Sequence, residues 1–302
     1  MIGVFRISQI VVFKVLRACE SLLHPTQCVT LTPVLQKRSS EMGVVYYASQ
    51  KLERLGVRHA FSTRIGGISP PPFDSLNLGN PNGSPVQDDY NRIWANYGRL
   101  TSSIGCGAAT PLRVHQVHGR AVATVDSTRE FDTDCKADAL VSRDCERVIS
   151  VRTADCVPIL ISSGNGKTVA AIHAGWRGIV AGIIPAAVQR MLEVDEASTT
   201  EEFVAAIGPC IGYDAFEVGQ EVLAEFQSVF GAKAPIARST DGKGSADLRR
   251  AVQLQLLSSG LRDENVDSTD RCTVTHREEF FSHRRERGIT GRMAAVIAAN
   301  RS

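Results

Sequence analysis

Short apolar runs follow one another closely in the middle of the chain. Each is four or five residues long, too short for a helix, and most are bounded by polar or glycine residues, so each predicts a buried strand. These predicted strands are 137–141, 148–151, 157–161, 168–172 and 203–207. Two further strands are predicted at 112–125, interrupted at Gly119, and near Thr273.

Apolar residues at helical spacing occur mainly later in the chain. They predict helices at 88–100, 179–194, 218–230 and 246–258. Residues 46–55 fit either a helix or a pair of strands, and 69–85 hold five of the twelve prolines, which predicts an irregular loop. Strands in runs and helices clustered late favour an α+β fold, a layered sandwich of mixed sheets flanked by helices, over a regular βαβ array.

The chain divides into an extension and one domain. Its 302 residues, 43% hydrophobic, suffice for a large core, and residues 42–302 show no linker or repeat and predict a single catalytic domain. Residues 1–40 carry five basic residues against one acidic residue. That composition fits a targeting segment, a start site placed upstream of Met42, or a dispensable extension, which we favour for 1–41.

Charge and cysteine usage restrict the class of protein. A net charge of +2 gives no electrostatic reason to expect nucleic acid, and no apolar run approaches the length of a membrane span. Eight scattered cysteines without a zinc-ribbon spacing indicate reduced thiols. We therefore expect a cytoplasmic protein, a monomer or weak homo-oligomer, with neither a nucleic-acid nor a membrane partner.

Two strand ends carry chemistry. Cys156 precedes one predicted strand, and His173 ends another at a tight glycine turn that enters a helix. Backbone N–H groups at the Gly175 turn and the adjacent Arg177 suit an anion. If 112–125 is a strand, His115 and His118 lie on opposite faces, and we choose His118 because Gly119 allows close approach. His118, Cys156 and His173 could then hold Zn²⁺ with one position open for water.

Other interpretations of these residues stay open. A buried cysteine is often an inert apolar residue, and Cys156 with His173 as base could instead form a cysteine hydrolase or transferase. A copper-dependent phenol oxidase would need Cu²⁺ in the same site, because the chain lacks the His-x-His pairs that gather several copper ions. A closed structural zinc would need a fourth ligand such as Cys210 or Cys272.

Seven motifs in one order resemble a known family. From about residue 44 onwards the chain is similar to the laccase-domain family, once labelled polyphenol oxidase and now described as purine nucleoside enzymes. The motifs are Phe61 to Gly67, Ser75 to Gly79, Gln116 to Gly119, Thr153 to Pro158, His173 to Gly178, Ile207 to Ile211, and Phe280 to Ser282 with Thr290 to Arg292.

The resemblance implies a zinc ion on His118, Cys156 and His173. It implies phosphorolysis of adenosine, inosine, guanosine and S-methyl-5′-thioadenosine with inorganic phosphate, and hydrolytic deamination of adenosine to inosine. For these reactions Asp155 or Asp138 could move a proton, and Arg64, Arg177 and the Gly175 turn could hold phosphate. One departure is His283, where many relatives have tyrosine.

Overall fold

Three sheets and six helices organise the part of the chain that the computed structural model describes. The described residues are 35–81, 83–126, 130–239 and 242–301. Most of the predicted extension, 1–34, lies outside them. The domain boundary at residue 42 stays a prediction, although a strand at Gln36–Ser39 already pairs with the domain.

The first sheet is antiparallel throughout. Its strands, in spatial order, are β1 (Gln36–Ser39), β2 (Val45–Ala48), β3 (Arg58–Ser62), β14 (Met293–Ala298) and β6 (Ile149–Thr153). Helix α1 (Gln50–Arg54) joins β2 to β3, and the Ser49 side chain caps it by accepting a hydrogen bond from the Leu52 N–H. The last strand of the chain thus lies between strands from its beginning and its middle.

The second sheet is mixed. Its order is β13 (Val266–Asp267), β9 (Val204–Ile207), β7 (Val157–Ser162), β8 (Val169–Ala174), β5 (Ala139–Ser142) and β4 (Val122–Val125). The two edge pairs are parallel and the inner pairs antiparallel. A small third sheet holds β10 (Glu217–Val218), β12 (Gly244–Ala246) and β11 (Ile236–Arg238).

The main core lies between the first two sheets. Phe61 and Val151 from the first sheet pack in one cluster with Leu160 and Ala171 from the second. Helix α2 (Tyr90–Ser103) covers the outer face of the first sheet, and α4 (Ile183–Val194) covers that of the second. Strands β7 and β8 are therefore buried on both faces, which explains why they are continuous apolar runs.

The α+β sandwich of mixed sheets flanked by helices is confirmed. The predicted helices correspond to α2, to α5 (Gln220–Phe230), to α6 (Leu248–Ser258), and to a pair, α3 (Trp176–Ala181) and α4. That pair was predicted as one helix, but Gly182 breaks it with a left-handed φ of 85°. None of the helices in the described ranges is long and apolar enough to span a membrane.

Two strand predictions were wrong. Only Val122–Val125 of the stretch 112–125 is a strand, because the backbone before it turns to bind a buried carboxylate and His118 adopts a φ of 60°. Near Thr273, Cys272 forms only an isolated bridge with Cys210. The sequence analysis did not predict β14.

Candidate metal centre

Neighbouring strands bring Cys156 and His173 together. Cys156 immediately precedes β7, and His173 is the penultimate residue of β8. The two strands are antiparallel, with Pro158 opposite His173 in the register. The start of one strand and the end of the other therefore meet at the same edge of the sheet.

His118 completes the group from a loop. Its ring lies edge-on to the ring of His173, with centroids 4.9 Å apart and an interplanar angle of 79°. One ligand atom from each of His118, Cys156 and His173 lies within 4.8 Å of the other two. The structure thus brings together all three predicted ligands. His118 and not His115 belongs to this group, but the strand alternation behind that choice does not exist.

Asp138 ties the histidine ligands to each other. Its carboxylate lies 2.8 Å from Nδ1 of His173 and accepts backbone N–H bonds from Val117, His118 and Gly119 at 3.2, 2.9 and 2.7 Å. With Nδ1 directed at Asp138, Nε2 of His173 is free to face a metal. One buried side chain therefore orients one ligand and fixes the loop that carries another.

The sequence analysis gave Asp138 only as a candidate proton donor. Burial alone would raise the pKa of its carboxyl, but the hydrogen bonds from His173 and Gly119 lower that pKa below its usual range. A signal was present in the sequence, because a carboxylate directly precedes the wholly buried strand β5. Its pairing with His173 could not be predicted, since that requires β5 to lie beside β8.

Gly175 makes room for the ligands. A Cβ atom at this position would lie 2.9 Å from Cδ2 of His118 and 3.0 Å from Sγ of Cys156. Any side chain here would displace both residues. At Gly178 a Cβ would lie 3.1 Å from the Gly119 carbonyl oxygen, so α3 also approaches the His118 loop closely. The contacts of Gly175 are steric, and its predicted role in holding phosphate stays a prediction.

The electrostatic interaction of Cys156 with His173 and His118 favours the thiolate form of Cys156. Burial opposes ionisation of Cys156, yet the adjacent His173 and His118 lower the pKa of its thiol. Burial likewise opposes protonation of His173, but the Cys156 thiolate and Asp138 raise the pKa of its imidazole. The pair is therefore ready to exchange the imidazolium proton for a metal ion, which takes a thiolate and a neutral histidine.

This donor set fits a metal ion with an open position. In a tetrahedral zinc site, ligand atoms at about 2.0–2.3 Å from the metal lie roughly 3.3–3.8 Å apart, so the 4.8 Å group needs only a small contraction. His118 is exposed, Cys156 half-buried and His173 buried, so a small molecule can reach the group. A fourth protein ligand is not supplied by Cys210 or Cys272 among the described residues.

Each of those two cysteines has its own surroundings. Cys210 is buried with Arg249 Nη2 at 3.6 Å from its sulfur, and burial raises the pKa of its thiol to about 11. The sulfur of Cys272 accepts a hydrogen bond from the Gly212 N–H at 3.1 Å. The closed four-ligand arrangement of structural zinc therefore has no support in this part of the chain.

Asp155 holds the backbone around Cys156. It is almost fully buried, with a φ of 90°, and its carboxylate accepts from Thr273 Oγ1 at 2.6 Å and from the Arg284 N–H at 2.7 Å. Both oxygens are thus engaged in joining three segments. The predicted proton-transfer role of Asp155 stays a prediction, and these contacts favour a positioning role.

The predicted phosphate-binding arginines differ in their surroundings. The Arg64 guanidinium donates to the Asp74 carbonyl at 2.7 Å, lies 3.1 Å from the Asp74 carboxylate and stacks 4.4 Å from the Phe281 ring centroid. Arg177 is exposed and stacks over its neighbour Trp176 at 4.3 Å. Arg64 therefore already pairs with a carboxylate, whereas Arg177 lies at the surface over an aromatic ring.

The arrangement of ligands and motifs agrees with the sequence comparisons. Residues 58–300 match the family described as multi-copper polyphenol oxidoreductase laccase. The chain belongs to this family. Curated relatives include proteins named purine nucleoside phosphorylase YfiH from Shigella flexneri and Escherichia coli, each 41% identical over 246 residues, covering 80% of this chain and 93% of theirs. A purine nucleoside phosphorylase of Deinococcus radiodurans is 34% identical over 247 residues, covering 82% and 91%.

Solved structures of similar proteins share the fold. The crystal structure of YlmD from Geobacillus stearothermophilus superposes with a TM-score of 0.78 at 29% identity, covering 89% of this chain and all of that one. That of Bacillus licheniformis YfiH gives 0.77 at 26% identity, covering 87% and 98%. In this laccase-family chain, the described residues contain one group of at least three ligands able to hold a metal.

Proposed function

We propose that this chain is a zinc-dependent purine nucleoside phosphorylase that also deaminates adenosine. The observation that carries the proposal is the group of His118, Cys156 and His173, found in a chain whose curated relatives are named purine nucleoside phosphorylases. The substrates are adenosine, inosine, guanosine and S-methyl-5′-thioadenosine with inorganic phosphate. The products are the base and the corresponding ribose 1-phosphate, or inosine and ammonia from deamination.

The donor set and its open position have the composition of a catalytic zinc site. Two imidazoles and one thiolate with an open position are typical of catalytic zinc, and such an ion lowers the pKa of bound water toward about 7. Cu²⁺ could enter the same three donors, because it binds nitrogen and sulfur ligands more tightly. Gathering several copper ions, as phenol oxidation by a multicopper enzyme requires, would need further ligand groups.

The residues of the chain have separate tasks in this proposal. Asp138 holds His173 and the His118 loop in place, and Asp155 holds the backbone beside Cys156. Because His118 is exposed, the metal group is accessible from solvent. A protonated group must assist the leaving base or ammonia, and an anion site must hold phosphate in line with the glycosidic carbon.

Metal exchange tests the proposal. The protein should be stripped with a chelator, reloaded with Zn²⁺ or Cu²⁺, and assayed for inosine phosphorolysis, adenosine deamination and phenol oxidation. We expect both nucleoside activities to disappear on stripping and to return with Zn²⁺. Phenol oxidation that follows copper, with nucleoside turnover absent in both loaded forms, would contradict the proposal and favour the oxidase.

A cysteine hydrolase or transferase is the second candidate. It is favoured by the thiolate that His173 stabilises at Cys156 without any metal. The two candidates differ in their response to chelation. Activity that survives complete metal removal but is lost on alkylation of Cys156 would establish the cysteine mechanism and exclude the zinc one.

A further inference from the structure

Two partly buried arginines, Arg152 and Arg292, lie on or directly beside the neighbouring strands β6 and β14 of the first sheet. Arg152 is on β6, opposite Ala294 of β14, and Arg292 immediately precedes β14. Positions 292 and 294 are two apart, so Arg292 lies on the same face of the sheet as Arg152, in the diagonal position. This is the outer face, which carries Val296 and the residues of α2 in its core.

Arg152 is built into this position by its neighbours. Gln116 accepts from the Arg152 N–H and donates to its carbonyl, both at 2.8 Å. The side chain passes under Gly79, where a Cβ would lie 2.8 Å from Cδ and 3.1 Å from Nη1 of Arg152. Gly79 thus allows the loop to cover the arginine closely, and Gln116 links it to the loop that carries His118.

Within the described part of the chain, the charge of Arg152 has no counter-charge. Among the same residues, its buried Nε has no hydrogen-bond acceptor and the buried hydroxyl of Tyr97 has no partner. Throughout 35–81, 83–126, 130–239 and 242–301, no carboxylate forms an ion pair with Arg152, Arg292 or Arg113. The guanidinium of Arg113 lies over the rings of Trp94 and Tyr97, at 4.2 and 5.2 Å.

The charge of Arg152 interacts with those of Arg113 and Arg292. Burial lowers the pKa of Arg152, and the charge of Arg113 lowers it further. Burial and the charge of Arg152 lower the pKa of Arg292, while Asp155 and Cys156 act in the opposite direction. Arg292 therefore lies within electrostatic reach of both Arg152 and the metal ligand Cys156. Removing positive charges from water without a counter-charge is costly, so a bound anion would stabilise this arrangement.

We propose that Arg152 and Arg292 form the binding site for inorganic phosphate beside the metal group. This inference rests on the proposed function, because phosphorolysis consumes phosphate. A guanidinium group can bind phosphate with two parallel N–H···O hydrogen bonds. Both arginines keep part of their surface accessible to such a ligand. Arg113 adds positive charge that acts on Arg152. The site takes the role that the sequence analysis gave to Arg64 and Arg177, the first of which already lies against the Asp74 carboxylate.

Neutral substitutions of similar length test the site. We would measure phosphate binding to the zinc-loaded protein by calorimetry for Arg152→Met, Arg292→Met and the control Arg190→Met, an exposed residue that pairs with Glu193. Losing one charged hydrogen-bonding partner should weaken phosphate binding roughly 10- to 100-fold in each site variant, with the control unchanged. Phosphate affinity within twofold of wild type in both site variants would overturn the proposal.

Kinetics separate this site from the proposed function. We expect the phosphate KM to rise in both site variants while deamination of adenosine, which needs no phosphate, is retained. A normal phosphate KM in both variants would contradict the proposed phosphate site but not the phosphorylase activity. Phosphate binding that depends on both arginines, in a protein that forms no ribose 1-phosphate, would support the site and contradict the phosphorylase activity. Tighter arginine-dependent binding of adenosine 5′-monophosphate, with phosphate binding unaffected by substitution, would assign the pair to a nucleotide instead.

Chemical modification covers the case in which a variant does not fold. Wild-type protein would be treated with phenylglyoxal, and modification of Arg152, Arg292 and Arg190 followed by mass spectrometry with and without phosphate. We expect phosphate to slow modification of Arg152 and Arg292 but not of Arg190. Equal rates at all three arginines with and without phosphate would overturn the proposal.

Discussion

Replacing Asp138 with asparagine should separate the metal ligands from the residue that positions them. The substitution keeps the shape of the side chain and leaves His118, Cys156 and His173 in the sequence. One oxygen of Asp138 accepts from His173 Nδ1 and the His118 N–H, and the other accepts from the N–H groups of Val117 and Gly119. In either orientation of the introduced amide, its NH₂ group would face two of these four donors and could not accept a hydrogen bond from them.

The size of the effect follows from those four hydrogen bonds. Each buried donor left without an acceptor costs about 1–3 kcal/mol, so two of them destabilise the fold by roughly 2–6 kcal/mol. Loss of the carboxylate behind a histidine ligand typically weakens metal binding about 10- to 100-fold. Asp138→Asn should therefore lower both the thermal stability and the zinc affinity, although no metal ligand is changed.

The assay is a zinc titration against a chromophoric chelator, accompanied by thermal unfolding of the metal-free protein. The matched control is Asp270→Asn, because Asp270 is exposed and its ion pair, with Arg271, lies at the surface. We expect the control to match wild type in both measurements. A folded Asp138→Asn protein that binds zinc within twofold of wild type would refute the positioning role of Asp138.

Three further predictions concern the residues around the ligands. Gly175→Ala should weaken zinc binding, because the added Cβ would lie 2.9–3.0 Å from two ligands and overpacking costs about 1–3 kcal/mol. The control Gly98→Ala on α2, with ordinary contacts of 3.6 Å, should stabilise the fold by up to about 1 kcal/mol. Equal zinc affinities of the two variants would contradict this. In metal-free protein the pKa of the Cys156 thiol is lowered to about 6, so the thiolate persists above that pH. The rate of alkylation at Cys156, measured by mass spectrometry, should therefore decline only as the pH falls through about 6. A midpoint near the ordinary thiol pKa of about 8.5 would argue against the thiolate. Arg64→Ala should lower the free energy of unfolding by about 1–3 kcal/mol, because the hydrogen bonds to Asp74 and the stacking on Phe281 are lost. The phosphate KM should change less than in the Arg152→Met variant, and a larger change would return Arg64 to the phosphate site.

Local pattern was sufficient for most of the fold. The apolar runs that became β5, β7, β8 and β9 are buried on both faces, and β6 is buried except at Arg152, so each is visible in the sequence without knowledge of its partners. The helices α2 to α6 were predicted from the spacing of their apolar residues, which is likewise a local pattern. Strand β14 was missed, although it is also wholly buried, and the strand order that places it between β3 and β6 depends on contacts far apart in the chain.

The ligand types could be predicted, but not the contacts that hold them. His118 lies in a turn whose N–H groups bind Asp138, and that turn was interpreted as a strand because its residues alternate in polarity. Arg292 is the last residue of one recognised motif and Arg152 immediately precedes another, yet their shared face follows only from the pairing of β6 with β14. Asp155 and Arg64 show the converse, because residues that suit catalysis by type are engaged in contacts that the sequence does not reveal.

Product analysis tests the central claim most directly. The zinc-loaded protein is incubated with adenosine, with and without inorganic phosphate, and the products are identified by mass. The account predicts adenine and ribose 1-phosphate only when phosphate is present, inosine in both reactions, and none of these products from a Cys156→Ala variant at the same concentration. Unchanged adenosine in both reactions, with zinc bound to His118, Cys156 and His173, would contradict it.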